Sequence, residues 1–552
     1  MIREKNFSFL ILVVLLSMLA GCGSDSSGSG GNSSTSSSSK YSLNFSNYSS
    51  SYTESSLSVT TGSGSHTVKY KAYSNIVYVT NPVDYKYESM NVLVPVSVNG
   101  VSVSTTNAPI ILDIGVGGYM SSSVWSSSSS SSSGTPSGTP PSGTPPSGGS
   151  SGSSGAPSGA PPSGGGAGGM ISTNGQYALA AGYVVVQVGC RGRDNYSSAD
   201  GYYGKAPAAM VDLKAAVRFI RSNAGSFPGN VERIISSGGS AGGALSALLG
   251  ASGNSSLYDS YLKALGAANT VDNIFAVGAW SPITNLDHAD MAYEWEFGTL
   301  QYNGGTVNST ISDELKSLFK DYQDGLTLSG KSSYGTITYS NIDDYILKYY
   351  MEPSAAKYLK SLSSSSLSSY LSTNRWITWD SSTSTATFTF SDYLSHIGNR
   401  GKSVPAFDSF FDSSSYSNVN TSDTAEVVEF GNSTTNARHF TNYSLQKTNG
   451  DSSATISSDL QPIVNMMNPM YYIMNGIKNN NSSGVAQYWY IRDGSVATDT
   501  SAIVIINLAT SLENLLGANH VNAWEDWDQG HNVNADPDGF ISWIGDIIGY
   551  SK

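Results

Sequence analysis

Apolar residues along the chain form short continuous runs, which helically spaced or polar segments separate. Runs at residues 108–114, 183–188 and 488–492 are typical of strands that are buried on both faces of a parallel sheet. Residues 212–220 have apolar side chains at helical spacing, and a further short apolar run follows at 231–235. The order strand, helix, strand predicts an α/β fold with a doubly wound, mostly parallel sheet.

The remaining segments suggest how the chain divides. Residues 41–120 begin with alternating apolar and polar positions, which predict antiparallel strands, and with residues 170–299 they would form the first part of the core. Residues 121–169 are near-repeats of Ser, Gly, Pro and Thr, which cannot build a core. Residues 300–465, rich in Tyr, Ser and Asn, are an insertion before the penultimate strand, and residues 385–390 within it have a β-like alternating pattern. Residues 466–552 would complete the core.

One serine lies where a predicted strand turns into a predicted helix. Residues 238–242 read Gly-Gly-Ser-Ala-Gly, with the apolar run 231–235 before Ser240 and small helix-forming residues at 244–249 after it. This G-x-S-x-G pattern is typical of a nucleophile elbow, because glycines permit the tight turn that exposes the serine. The pattern recurs around Ser150, but without a strand or a helix. Context therefore favours Ser240, and the alternative is a glycine-rich turn without a nucleophile.

Backbone amides near this serine are candidates for an oxyanion hole. The amide of Ala241 opens the helix after Ser240, and a glycine pair precedes Tyr119 just after the strand at 108–114. The amide of Gly118 or Tyr119 would supply the second donor of such a hole. The other interpretation of these glycines is a tight strand-to-helix turn.

A serine nucleophile needs a base. In the hydrolase folds that this elbow resembles, the chain order is serine, then acid, then histidine. His531 comes directly after the last predicted strand, 521–527, where the base is expected, whereas His520 enters that strand from the opposite end. The other histidines precede the elbow or lie before or within the insertion: His66, His288, His396 and His439. We therefore predict His531 as the base.

The acid that orients the base should follow the penultimate strand, 488–492. Asp493 and Asp499 are the candidates there. Asp499 fits the loop better, because a predicted helix begins just beyond it at Ser501, whereas Asp493 lies at the strand end. We predict Asp499 as the acid.

Composition excludes some classes of protein. The 552 residues contain 41 Asp and Glu against 28 Lys and Arg, a formal net charge of −13, so no basic surface is available for nucleic acid. Only 12% of residues are charged, which is typical of an exported protein.

The first 22 residues resemble a bacterial lipoprotein signal. Arg3 and Lys5 precede an apolar segment at 7–20, and residues 19–22 read Leu-Ala-Gly-Cys. The resemblance implies that residues 1–21 are removed and that Cys22 is lipidated, so that a Ser/Gly tether at 22–40 links the body to a membrane on its extracytoplasmic side. An ordinary secretory signal is the alternative. The only other cysteine, Cys190, then has no disulfide partner and is predicted to be a core residue.

Residues 183–243, with the Gly-Gly-Ser-Ala-Gly-Gly elbow, resemble the α/β-hydrolase fold. Residues 274–283 and 289–295 resemble bacterial subtype B tannases and tannase-like esterases. The resemblance implies hydrolysis of galloyl or other phenolic esters, with the insertion acting as a lid. It also implies that Lys402 and Glu426 face phenolic hydroxyl groups of the substrate. For those two residues the alternative is a solvated lid surface.

The acid loop of this chain departs from the tannase pattern. Some tannases carry two acids spaced two apart in the acid loop, but this chain has Ala497 and then Asp499. Either Asp499 orients the base and phenolic recognition is weaker, or the substrate is not a gallate.

Residues 534–539 copy the first half of a calcium loop, but Gly545 stands where the bidentate acid is needed, so we predict a helix cap and no metal site.

The sequence thus predicts a serine esterase that needs no cofactor and acts on a small ester, with its oligomeric state left open. A feruloyl, acetyl-xylan or general carboxylesterase would use the same catalytic residues with a different lid. A serine peptidase of the same fold is also compatible with these residues. So is a non-catalytic surface lipoprotein that binds a glycan or a phenolic compound.

Overall fold

The computed structural model of the chain describes residues 41–125, 170–411, 425–531 and 534–550. Cys22, with the expected signal and tether, lies outside these residues, as does most of the Ser/Gly/Pro tract. What was predicted for those segments therefore stays a prediction.

Among the described residues, ten strands form the main sheet, and two short hairpins lie apart from it. The strands are β1 (Thr53–Thr61), β2 (Gly64–Val77), β3 (Ser89–Val98), β4 (Val101–Ser102), β5 (Ile110–Ile114), β6 (Val184–Val188), β7 (Tyr196–Ser197), β8 (Gly201–Tyr202), β9 (Ile234–Gly239), β10 (Ala276–Trp280), β11 (Thr378–Asp380), β12 (Thr385–Thr387), β13 (Tyr488–Gly494) and β14 (Val521–Asp526). The order is β1-β2-β3-β6-β5-β9-β10-β13-β14, with β4 paired to β3. Strands β1 to β3 are antiparallel, and β6 onwards is parallel, so the predicted change of pattern is confirmed.

Helices lie between the parallel strands and fill the insertion. They are α1 (Thr173–Ala180), α2 (Ala208–Ser222), α3 (Ala241–Ala251), α4 (Asp259–Ala264), α5 (Leu286–Phe297), α6 (Ser309–Leu326), α7 (Ile342–Ile346), α8 (Glu352–Ser361), α9 (Ser364–Thr373), α10 (Phe390–Ile397), α11 (Ala425–Glu429), α12 (Asn442–Asn449), α13 (Leu460–Met466), α14 (Pro469–Asn479), α15 (Ala502–Leu516) and α16 (Pro537–Ile548). Within the described ranges, no helix is long and apolar enough to cross a bilayer.

The continuous apolar runs occupy the middle of the sheet. Every residue of β5, β6 and β10 is buried, because neighbouring strands and packed helices cover these strands on both faces. Cys190, just after β6, is a free and buried cysteine, as predicted. The parallel strands carry their C-terminal ends to one edge of the sheet, where the loops of the candidate site begin.

The predicted insertion, residues 300–465, contains α6 to α12, most of α13 and the β11–β12 hairpin. Its buried aromatic residues, among them Phe319, Tyr345 and Phe388, belong to the same apolar cluster as the sheet. One local prediction was wrong: the β-like pattern at 385–390 ends at Thr387. The side chain of Thr389 accepts a hydrogen bond from the amide of Asp392 and so begins helix α10, an N-cap that outweighs the alternating pattern.

Candidate active site

Ser240 occupies the sharp turn between β9 and α3. Its backbone has φ 57° and ψ −126°, a left-handed conformation that residues other than glycine adopt only under constraint. The amide of Ser240 donates a 2.9 Å hydrogen bond to the carbonyl oxygen of Trp280, at the end of β10. The turn places Ser240 at the C-terminal end of β9, beside the amide of Ala241, which has no acceptor within its own helix.

Close backbone contacts require the glycines around Ser240. A Cβ atom on Gly242 would lie 2.7 Å from the carbonyl oxygen of Ile114 in β5. A Cβ atom on Gly238 would collide with the carbonyl oxygen of Gly242. The glycines therefore reflect how closely the elbow packs against itself and against the neighbouring strand.

His531 lies beside this serine. Its Nε2 atom is 2.9 Å from Ser240 Oγ, although the two residues are 291 positions apart in the sequence. Burial lowers the pKa of His531 below its ordinary value, Asp499 opposes this shift, and the positive charge of Lys402 adds to it. A neutral imidazole at this distance can accept the serine proton.

Of the two candidate acids, Asp499 is the one beside the imidazole. Its Oδ2 atom is 3.7 Å from His531 Nδ1, which has no hydrogen-bond partner among the described residues. The Asp499 side chain is 49% exposed. Asp493 is instead buried and hydrogen-bonds Ser281, and burial raises its pKa to about 8. Asp493 is thus a core residue whose burial favours the protonated form.

The loop after β5 presents the second predicted group of amides. Gly118 and Tyr119 have consecutive left-handed φ values of 53° and 57°. The Tyr119 hydroxyl donates a 2.6 Å hydrogen bond to the carbonyl oxygen of Ile283, and Arg193 Nε donates one of 2.6 Å to that of Gly118. Ile283 is itself bound to the elbow, since its amide donates to the carbonyl oxygen of Ser240 at 3.3 Å. These contacts hold the loop against the elbow.

Lys402 and Glu426 lie close together at the same site. Lys402 Nζ is 3.7 Å from Glu426 Oε1 and 3.9 Å from the centre of the Phe407 ring. Burial raises the pKa of Tyr119, and the charge of Glu426, itself buried, adds to this shift, while Lys402 contributes to the lowered pKa of His531. Lys402 remains 24% exposed, and the role of both residues toward a substrate stays a prediction.

Solved tannases resemble nearly the whole chain. The crystal structure of Fusobacterium nucleatum tannase matches with a TM-score of 0.70 and 32% sequence identity, over 92% of this chain and 100% of that chain. The chain belongs to the tannase family.

Other comparisons agree with this membership. A tannin acyl hydrolase in complex with 3,4-dihydroxybenzoate is 30% identical, with a TM-score of 0.70, over 92% of this chain and 99% of that one. A tannin acyl hydrolase in complex with ethyl gallate is 29% identical, with a TM-score of 0.69 and the same coverage. A family model described as BD-FAE matches residues 165–315. No curated protein sequence matches the chain. The protein is therefore a carboxylic ester hydrolase of α/β-hydrolase fold, as the sequence resemblance implied.

In this member of the tannase family, helix α5 carries residues that sequence reasoning missed. The Tyr293 hydroxyl accepts hydrogen bonds from the amides of Gly401 and Lys402, at 3.2 and 3.0 Å, and donates one of 2.7 Å to the carbonyl oxygen of Thr498. One side chain thereby joins the segment of Lys402 to the loop of Asp499.

A buried ion pair supports the same segment. Glu294 forms a bidentate pair with Arg400, and one of its two bonds, from Nη1 to Oε2, measures 2.8 Å. Arg400 Nε donates a further 2.8 Å hydrogen bond to the carbonyl oxygen of Lys402. The sequence of residues 289–295 was interpreted only as a resemblance to tannases. The acidic residues of this helix were the available signal for a buried ion pair, but the sequence did not indicate which residues pair with them.

The calcium-like segment is a helix cap, as predicted. The Asp536 side chain accepts a 2.7 Å hydrogen bond from the amide of Gly539 at the start of α16. Over the part of the chain that the structure describes, no group of three His, Cys, Asp or Glu residues is arranged to hold a metal ion.

Proposed function

We propose that this esterase of the tannase family hydrolyses phenolic, galloyl-type esters with Ser240 as nucleophile, His531 as base and Asp499 as the acid that orients the base. The observation that carries the proposal is the 2.9 Å separation of Ser240 Oγ and His531 Nε2 at a strained elbow. Acyl transfer by a serine requires at least a hydroxyl group and an imidazole at about this distance.

In the first half of the reaction, Ser240 Oγ attacks the ester carbonyl carbon while His531 Nε2 takes the hydroxyl proton. The tetrahedral intermediate collapses when the C–O bond of the alcohol breaks and His531 returns the proton to the leaving oxygen. Water then attacks the acyl-enzyme by the same route and releases the acid and free Ser240. Asp499 stabilises the imidazolium, and closing its 3.7 Å separation to a hydrogen bond requires a movement of roughly 0.5–1 Å.

The negative oxygen of the intermediate is stabilised by backbone amides. The Ala241 amide, at the first residue of α3, has no acceptor within its own helix. The amide of Gly118 or Tyr119 is the second donor, on a loop held by the Tyr119 and Arg193 hydrogen bonds. Removing one such donor typically costs about 3 kcal/mol of transition-state stabilisation.

Lys402 and Glu426 are the proposed partners of the phenolic hydroxyl groups. An ammonium group can donate to a phenolic oxygen, and a carboxylate can accept from a phenolic O–H. The two groups lie 3.7 Å apart, so adjacent hydroxyls of one ring can reach both. Two related structures bind 3,4-dihydroxybenzoate and ethyl gallate, which supports a hydroxylated aromatic acyl group here.

A substrate panel tests the acyl group. Methyl gallate, methyl 3,4-dihydroxybenzoate, methyl ferulate and p-nitrophenyl acetate are compared by kcat/KM, and we expect the two hydroxylated benzoates to be preferred. Glu426→Gln should reduce kcat/KM for methyl gallate about 10-fold or more while it spares p-nitrophenyl acetate, because only the gallate needs the carboxylate. Glu314→Gln, at an exposed lid carboxylate paired with Lys447, is the matched control.

The outcomes of the panel separate the competing functions. Preference for ferulate, with no cleavage of gallate, would replace the tannase proposal by a feruloyl-type esterase. Equal loss of all substrates in Glu426→Gln would remove this residue from phenolic recognition. Cleavage of gallate with a high KM would fit the presence of Asp499 and the absence of a second acid at Ala497.

We also propose that the chain is an exported lipoprotein anchored through Cys22, on the strength of its first 22 residues. Metabolic labelling with a radioactive fatty acid should mark the wild-type chain in the membrane fraction. Cys22→Ser should lose the label, and a label that survives this change would contradict the proposal.

A further inference from the structure

Asp528 lies three residues before His531, in the turn that follows β14. Its backbone φ is 55°, a left-handed value that is costly for an aspartate and persists only when the surroundings enforce it. The amide of Asp528 donates a 2.8 Å hydrogen bond to Ser495 Oγ, in the loop after β13. The turn is thus held from one side by the core.

The lid holds the turn from the other side. The Tyr370 hydroxyl, on α9, donates a 2.6 Å hydrogen bond to Asp528 Oδ2. His396 Nε2, on α10, donates one of 2.8 Å to Asp528 Oδ1. Each carboxylate oxygen of Asp528 therefore binds a different lid helix, and bonds to an ionised acceptor are among the stronger hydrogen bonds.

Trp527 strengthens this attachment. Its indole N–H donates a 2.7 Å hydrogen bond to the Tyr370 hydroxyl, which in turn binds Asp528. Its ring lies 6.5 Å from the His396 ring, at 5° to it, and 5.4 Å from the Phe388 ring. These contacts come from the lid, so the residue before Asp528 is also fixed by the insertion.

The imidazole of His531 makes few hydrogen bonds of its own. Nε2 faces Ser240, and Nδ1 has no hydrogen-bond partner among the described residues. Besides the bonds of Asp528, the amide of Val496 donates a 3.1 Å hydrogen bond to the carbonyl oxygen of Gln529 in the same turn. The position of the ring therefore depends in part on the backbone of the turn, which Asp528 helps to hold.

We propose that Tyr370 and His396 of the lid are positioning residues that place His531 for proton transfer, acting through the carboxylate of Asp528. This inference rests on the proposed role of His531. It assigns to the lid, besides contact with the substrate, the task of completing the catalytic machinery of the core. Displacement of a reacting group by about 1 Å can cost on the order of 100-fold in rate, so loosening this turn should be visible in kcat.

The test compares single variants of the full-length chain. Tyr370→Phe and His396→Leu should each lower kcat on p-nitrophenyl acetate about 10-fold, and the double variant about 10- to 100-fold, with KM changed less than about twofold. His396→Gln keeps an N–H donor near the same place and should restore most of the rate. Tyr349→Phe is the matched control, because this half-buried lid tyrosine packs on Tyr334 and Tyr345 instead.

Two further measurements separate positioning from folding. The rate at which a fluorophosphonate labels Ser240 depends on the base but not on recognition of the acyl group, so it should fall in parallel with kcat. Unfolding midpoints recorded on the same samples show whether the variants are folded at the assay temperature. Variants with a lowered midpoint but wild-type kcat and labelling rate would overturn the inference and leave Asp528 a structural residue.

His531→Ala distinguishes this inference from the proposed function. If it abolishes turnover while the lid variants keep the wild-type kcat, only the positioning role fails. If His531→Ala itself retains turnover, the triad and the positioning role fall together.

Discussion

Among the residues that the structure describes, two histidines lie between a hydroxyl group and an aspartate, and one of these two borders the elbow. His531 is the one at the elbow. His439, in the lid, donates from Nδ1 to Asp408 Oδ1 at 2.6 Å, and its Nε2 lies 3.0 Å from Thr448 Oγ1. The distance between histidine and aspartate is shorter in the lid, at 2.6 Å, than at the elbow, at 3.7 Å.

The two aspartates differ in how many donors they bind. Asp408 is fully buried and also accepts hydrogen bonds from the amides of Phe440 and Thr441 and from the Thr441 hydroxyl, at 2.7–3.1 Å. Asp499 is half-exposed and lies 3.7 Å from its histidine. A buried carboxylate that binds several donors stabilises a single arrangement of its neighbours. A half-exposed carboxylate with few donors can instead strengthen its hydrogen bond to the imidazole as positive charge develops there.

The two hydroxyl groups differ in their backbone. Thr448 lies in the last turn of α12, in ordinary helical structure. Ser240 lies in a strained turn, next to the amide of Ala241, which has no acceptor within its own helix. Hydrogen-bond distances among three side chains favour the lid group, whereas backbone strain, incomplete pairing and an adjacent backbone amide favour the elbow as the proposed catalytic site.

The largest expected effect comes from removing each hydroxyl. Ser240→Ala should lower kcat on the order of 10⁵-fold or more, because no other nucleophile borders the imidazole among the described residues. Thr448→Val should leave kcat within about twofold, since its hydroxyl only completes a buried pair. Initial rates on p-nitrophenyl acetate measure both. More than a few per cent of activity remaining in Ser240→Ala would show that another residue attacks the ester.

The next effect separates catalysis from stability at the two aspartates. Asp499→Asn should lower kcat by about 10²- to 10⁴-fold with little change in the unfolding midpoint, because the group is half-exposed. Asp408→Asn should cost about 1–3 kcal/mol of stability and leave kcat of the folded enzyme unchanged, because buried donors lose their acceptor. Urea unfolding and steady-state kinetics on the same samples test this. If Asp499→Asn lost stability and Asp408→Asn lost activity instead, the roles of the two histidine–aspartate pairs would be exchanged.

The smallest effect is a shift in pH dependence. The rate requires neutral His531, so kcat/KM should fall as the pH drops through its pKa, which burial and Lys402 hold below the ordinary value. Lys402→Met removes a nearby positive charge, so the pKa should rise and the acidic limb should move to higher pH by less than about one unit. The profile is measured with p-nitrophenyl acetate, and Lys447→Met and His439→Gln serve as controls. A shift to lower pH in Lys402→Met, or a shift in His439→Gln, would contradict the comparison.

Much of the sheet and of the elbow was predictable because their signals are local. The runs in β5 and β6 are continuous because both strands are buried on both faces. Glycines are needed near Ser240 because backbone atoms only a few residues away, or in the adjacent strand, leave no room for a Cβ atom. His531 and Asp499 were predicted as base and acid from their order after the strands, since parallel strands end at one edge of the sheet. The end of the β-like pattern at 385–390 was missed because a capping side chain outweighed alternation.

Sequence alone determined that a doubly wound sheet carries a serine elbow, with an acid and a histidine on later loops. Only the tertiary structure decided what holds those loops. Tyr293 bonds to Lys402 and Thr498, which lie 109 and 205 residues further along the chain. Tyr370 and His396 bond to Asp528 across 158 and 132 residues. Periodicity and turn chemistry report the backbone within a few residues, whereas the pairing of buried polar groups depends on which elements the core brings together.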